Sequence, residues 1–225
     1  MFDVNKILTA LQTDPNARRT AMASGGGLAA GFAASMLMGK SGRKMVSKAA
    51  KYGAVAAIGG LAYHAWRKSQ QNKTGSTSAM PTEYEAAPPN SNFLPAPADE
   101  AAVHDLGRTL VRAMIAAAKA DGKIDADEKT RIFERLEDME LTAEDKAFVF
   151  DELSTPLDIH AVVADVKTPE HAAEIYAASV VAIEADTAVE RAYLETLAAR
   201  LGLGPDLVTE IHKTAGAQPA QKSSD

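Results

Sequence analysis

Twenty consecutive residues, Thr20 to Gly39, carry no charge and are fenced by Arg19 and Lys40. A helix rises about 1.5 Å per residue, so a run of that length matches the ~30 Å hydrocarbon core of a bilayer. A second uncharged run, Tyr52 to Trp66, is fifteen residues long between Lys51 and Arg67. It is short for a crossing unless the flanking cations snorkel or the bilayer thins, and it is the weaker candidate. Residues 1–68 are therefore expected to form a glycine- and alanine-rich membrane helix or helical hairpin. Tyr52, Tyr63 and Trp66 stand where interfacial aromatics would anchor the second segment.

Charge divides the chain in the same place. Up to Ala98 there are eleven Lys/Arg and four Asp/Glu, a net of +7, whereas from Asp99 onward thirteen Lys/Arg face twenty-six Asp/Glu, a net of −13. A basic block beside anionic headgroups and an acidic block in water is the simplest arrangement of the two. Nucleic acid is not an expected partner of the acidic half, which lacks the cationic excess that phosphates require. The chain has no cysteine, which excludes disulfides and thiolate metal sites.

Between the blocks, Ser69 to Ala98 contains Pro81, Pro88, Pro89, Pro95 and Pro97 among small polar residues and few large apolar ones. Such composition buries too little surface to order itself, so 69–98 reads as a disordered, flexible linker. The polar stretch 216–225 reads as a disordered tail. One folded domain, 99–215, lies between them.

Small residues recur every fourth position at Gly27, Gly31, Ser35 and Gly39, along one stripe of a helix. In lipid such a stripe allows close backbone approach, so these four residues are the expected helix-packing positions and support a homo-oligomer. A second row, Ala49, Gly53 and Ala57, would serve a hairpin. A re-entrant or interfacial placement is an alternative, and a cleaved secretory signal is another. Against the signal, no small-x-small site follows Met38, while Lys40, Arg43, Lys44, Lys48 and Lys51 come next and resemble a stop-transfer flank. Those cations favour a cytoplasmic location for the chain beyond the first crossing. A second crossing would move the acidic domain to the far side.

From Asp99 the apolar residues return at helical spacing, and capping chemistry marks about seven helices. The first spans about Glu100 to Ala120. Asp125 with Glu128 opens one through Leu136, and Thr142 opens one through Leu153. Thr155–Pro156 and Thr168–Pro169 each place a cap before a proline. Thr187 with Glu190 forms a capping box before Tyr193 and Leu194, Gly202 ends that helix, and Gly204–Pro205 introduces a last short one. Alternation of the β type is missing, and the fold class is all-α.

The pattern occurs twice. Ala113, Ala117, Ala120 and Asp121 recur as Ala178, Ala182, Ala185 and Asp186, and Glu128 and Leu141 recur as Glu190 and Leu203. Two such helix-loop-helix halves are expected to pack about a pseudo-twofold axis. Ala120, Asp121, Gly122, Ile124, Glu128 and Ile132, followed by Asp186, Glu190, Tyr193 and Leu194, resemble the two signatures of the TerB-like domain of tellurite-resistance proteins. The whole layout up to about Ala215 resembles the bacterial inner-membrane YebE-like family. The resemblance implies a TerB-like helical bundle and a location in the bacterial cell inner membrane; it implies no settled activity.

Asp121, Gly122, Ile124, Asp125 and Glu128 match the second half of an EF-hand loop. Ala117 and Lys119 stand where its first and third ligands belong. A complete calcium or magnesium site would borrow oxygens from Asp186 and Glu190 of the other half, making Asp121, Asp125, Glu128, Asp186 and Glu190 the candidate metal residues. The competing reading needs no metal: Gly122 supplies a positive-φ turn, Asp125 and Glu128 cap a helix, and Asp121 caps or binds loop amides. Catalytic chemistry has little support. His64, His104, His160, His171 and His212 are scattered, and the glycines of 25–27 follow no strand and lack a P-loop lysine.

The expected function is that of a non-enzymatic, membrane-anchored adaptor of the envelope. Its acidic domain would dock a protein partner, in metal or envelope stress. A divalent-cation sensor or buffer is the alternative, and an unrecognised hydrolase a second one. Membrane lipid, an unidentified protein and copies of the chain are the expected partners.

Overall fold

The structure is a computed structural model that describes residues 53–74, 87–88, 91–96, 99–120, 122, 142–183, 185 and 187–216. The stripe Gly27, Gly31, Ser35 and Gly39, the helix expected over 125–136 and the tail beyond 216 lie outside the described residues. Seven helices are described, with no strand among those residues: α1 Gly53–Thr74, α2 Glu100–Ala118, α3 Ala143–Ser154, α4 Ile159–Val163, α5 Pro169–Ala182, α6 Ala188–Arg200 and α7 Pro205–Gly216.

Most helix starts are set by the caps that the sequence announces. Asp99 accepts from the Ala102 amide before α2, Thr142 from Asp145 before α3, and Thr168 from His171 before α5, where Pro169 takes the first helical position. Thr187 and Glu190 form the full reciprocal box before α6. Thr155 departs from expectation. Its hydroxyl donates backward to the Asp151 carbonyl at 2.7 Å at the end of α3, and no helix starts at Pro156. Lys119 reinforces that end by donating to the Glu152 carbonyl at 2.8 Å and to the Thr155 carbonyl. Helix α4 opens only after Asp158, whose carboxylate accepts from the His160 amide at 2.8 Å.

The most extensive helix pair is α2 against α5, the opening helices of the two sequence halves. Ala113, Ala117, Ala173, Ala177 and Ala178 are at most 1% exposed. Their small side chains bring the backbones close enough for Ser179 Oγ to donate to the Ala113 carbonyl at 3.3 Å. Leu110, Met114, Ile175 and Tyr176 fill the core beside them. Gly122 has φ +73°, the positive-φ turn expected after α2, and Ala185 adopts φ +53° at the corresponding exit from α5. A non-glycine residue there carries about 1 kcal/mol of strain, and Arg191 Nη1 binds its carbonyl at 3.2 Å.

Helix α1 corrects the expected domain layout. It runs through the boundary expected at residue 68 and lies across α5 and α7 as part of the bundle. Val55, Ile58, Leu61, Ala62 and Ala65 are at most 4% exposed against that core. The apolar face of 52–66 is thus satisfied by protein, and no described helix is long and apolar enough to cross a membrane. The close approach is made at Gly59, where a Cβ would fall 2.9 Å from the Leu94 side chain, whereas Ala57 of the expected packing row is exposed.

Nor do Tyr63 and Trp66 act as interfacial anchors. Both meet Phe93 edge-on, with centroids 5.6 and 5.9 Å apart, and so pin part of the expected linker to α1. Phe93 and Ala87, inside the proline-rich stretch, are at most 5% exposed. Two or three apolar residues suffice to dock such a segment when a partner face is waiting for them.

Burying Val55, Ile58 and Leu61 contributes about 1.5–3 kcal/mol each, comparable in sum to the net stability of a domain. Leu61→Ala is therefore expected to lower unfolding stability in urea by about 2–5 kcal/mol. A 99–215 fragment should melt well below a 53–216 fragment; equal melting temperatures would show that α1 adds nothing to the bundle.

Candidate functional site

Where α1 crosses the ends of two other helices, a cleft of about 400 Å³ opens. Trp66, Ser69 and Gln70 of α1 form one wall, Lys167 to Pro169 and Ala172 at the start of α5 a second, and the turn Leu201–Gly204 with the start of α7 the third. The first turns of α5 and α7 both border the space, and Lys167 and Asp206 place opposite charges on its rim. The cleft suits an amphipathic surface element better than a reacting small molecule: one aromatic wall, apolar Leu203 and Leu207, and polar edges.

Beside it lies an ionic clamp between α1 and α7. Glu210, 2% exposed, meets Lys68 Nζ at 3.2 Å and Lys213 Nζ at 3.0 Å, and accepts from Asn72 Nδ2 at 3.3 Å. Burial pushes this carboxyl up, but the bonds from Lys213 and Lys68 outweigh it and hold the group below its ordinary value. On α5, Glu174 has the opposite environment. It is 1% exposed, and burial, followed by the neighbouring Glu170, raises it well above the ordinary glutamate range. Its Oε1 has no hydrogen-bond partner among the described residues.

Two tyrosines complete the polar interior. Tyr176 is pushed up to about 12 by burial and then by Glu195, while burial lowers His212. The two side chains share a hydrogen bond, with Tyr176 Oη 2.9 Å from His212 Nε2. Tyr193 is likewise raised to about 12 by burial. Both tyrosines are buried in the core, whereas His212 lies at an exposed position of α7.

Of the candidate metal residues, Glu190 alone is described. Its Oε2 accepts from the Thr187 amide at 3.0 Å and from the Thr187 hydroxyl at 2.8 Å, and its own amide donates to Thr187 Oγ1 at 3.1 Å. That is the capping role. Asp121, Asp125, Glu128 and Asp186 lie outside the described residues, and among the described residues no cluster of three or more acidic or histidine side chains is arranged to hold a metal ion. Lys119, at a would-be ligand position, instead holds the end of α3.

Sequence reasoning passed over Lys68, Glu174 and Glu210, and read Trp66 as an interfacial aromatic. A signal existed for the two acids. Glu174 is the only charge between His171 and Glu184, and Glu210 lies on the apolar face that Leu207, Ile211 and Thr214 define. A lone carboxylate on a buried face needs either a cation or a proton.

The described helices define an all-α bundle protein. The chain matches the family described as "Protein of unknown function (DUF533)" over residues 23–215, and it belongs to that family, which is related to TerB-like proteins. It is also 30% identical over 98 residues to a Yersinia enterocolitica protein described as "Uncharacterized protein in ampR 5'region", covering 44% of this chain and 70% of that one. No solved structure gives a significant match.

Thr187→Ala is expected to cost about 1 kcal/mol through loss of the cap, by the same amount in chelator and in millimolar calcium. A cost that appears only with calcium present would assign the Thr187–Glu190 pair to a cation site. The depressed Glu210 stabilises the fold fully above the ordinary glutamate range of about pH 4–5, and this is lost as pH falls through its folded value. Glu210→Gln should therefore be about 1–3 kcal/mol less stable than the parent at pH 7, with the two urea curves converging near pH 3.

Proposed function

We propose that this chain is a membrane-anchored, non-enzymatic interaction module of the bacterial envelope, of the YebE-like kind, whose acidic helical bundle docks a protein partner. The observation that carries the reading is the placement of α1 in the bundle. Only thirteen residues, Lys40 to Tyr52, separate it from the uncharged run Thr20–Gly39, and five of them are Lys or Arg. A chain of that length reaches at most about 45 Å. With the run in lipid, the bundle therefore rides against the membrane surface instead of ranging on a long tether, and the basic stretch lies at anionic headgroups.

From Asp99 onward the chain is acidic, so its exposed surface favours a basic partner. The cleft at Trp66 supplies an apolar foothold inside that field. Copies gathered through Gly27, Gly31, Ser35 and Gly39 would raise the local concentration of docking surfaces. The use of Glu190 as a cap favours docking over cation sensing, in which it would be a ligand.

Carbonate extraction of membranes from cells expressing the full chain tests the anchor. The protein is expected to stay with the pellet, and Leu28→Arg with Phe32→Arg to release it. A parent chain that washes off and behaves as a monomer removes the anchor from the reading. Proximity labelling from the bundle should then recover a recurrent partner whose capture drops about tenfold with Trp66→Ala.

A further inference from the structure

Helix α1 is held to the bundle by two acids that need opposite protonation states. At one end, ionised Glu210 of α7 binds Lys68 at 3.2 Å. Toward the other, Glu174 of α5 presses its carboxyl group against the α1 backbone: a Cβ on Gly59 would lie 3.1 Å from Glu174 Oε1 and 2.9 Å from Leu94, which covers the same spot. The carboxyl is 1% exposed and Oε1 has no hydrogen-bond partner among the described residues. We propose that α1 is a releasable strap that seats on Glu174 only while that carboxyl carries its proton, so that rising pH lifts α1 from α5 and leaves the other helices folded.

Among the described residues no cation pairs with this carboxyl. On its own helix Glu174 has Glu170, a like charge, and His171, which burial keeps neutral. The covering segment Ser91–Ala96 has no ionisable side chain. From α1 the ionisable groups are Tyr63, His64, Arg67, at an exposed position, Lys68, which goes to Glu210, and Lys73. From α7 they are Asp206 at the cleft rim, Glu210 and its neighbour Lys213, and His212, which holds Tyr176; α6 contributes Glu195 near Tyr176. On α2, Arg108 and Arg112 are turned to Glu144 and Glu152. Ionised, Glu174 would be a desolvated charge with no partner at the α1–α5 contact, and parting the two helices is the direct way to hydrate it. The α2–α5 pair buries its own alanine seam away from α1.

Trp66 is the only tryptophan in the chain and sits on α1 against Phe93, so its emission reports the strap. The full chain in detergent micelles is titrated from pH 5 to 9, with acrylamide quenching of Trp66 and far-UV circular dichroism read together. The expected result is a severalfold rise in quenching with pH while most helical signal persists, and in Glu174→Gln a Trp66 that stays protected across the range. Should Glu174→Gln not fold, Glu174→Met fills similar space without an ionisable group and gives the same readout. Quenching that is flat in the parent, a transition that survives at the same pH in the Glu174 variants, or one that vanishes in His64→Gln or His171→Gln would each overturn the proposal. Neither the membrane anchor nor a docking partner is needed for this release of α1.

Discussion

The close crossing of α2 and α5 is the contact on which the other helices depend. Alanines at 113, 117, 173, 177 and 178 let the two backbones approach until Ser179 reaches across to the Ala113 carbonyl. Dispersion between closely packed backbones replaces the bulk of large side chains there. It also sets the spacing at which α1, α3 and α7 find their seats. A larger residue at this seam would open the bundle along its length, because rigid helices transmit a local separation to both ends.

Around that pair the protein handles buried polarity in three ways. Glu210 is clamped by two lysines, burial raises the Glu174 carboxyl well above its ordinary range, and Tyr176 and His212 share one hydrogen bond. All three sit on helices that touch α1 or support it. The polar groups thus specify which helix packs where, a role that apolar contacts alone fill poorly because they are non-directional.

Much of the acidic half was legible in the sequence because its helix starts are local events. Thr142, Thr168 and Thr187 do what side chains at those positions do in any context, and Gly122 takes the positive φ that its place after a helix demands. Non-local choices were not legible. Whether Tyr52–Trp66 faces lipid or protein depends on whether an apolar face elsewhere is uncovered, and alanine and glycine suit both solvents. Phe93 was invisible for the same reason: its prolines and serines were counted, and its destination between Tyr63 and Trp66 was not. Thr155 went astray as well: its hydroxyl is used backward at the end of α3, and no helix starts at Pro156.

The first and last described helices, α1 and α7, are neighbours, joined by contacts such as Asn72 to Glu210 across 138 positions of sequence. A ribosome delivers α1 long before α7 exists. Throughout that interval Val55, Ile58 and Leu61 have only part of their seat, and the nascent chain presents them directly behind a run able to engage lipid. The order of synthesis thus leaves closure of the bundle to the end, once the C-terminal helix emerges.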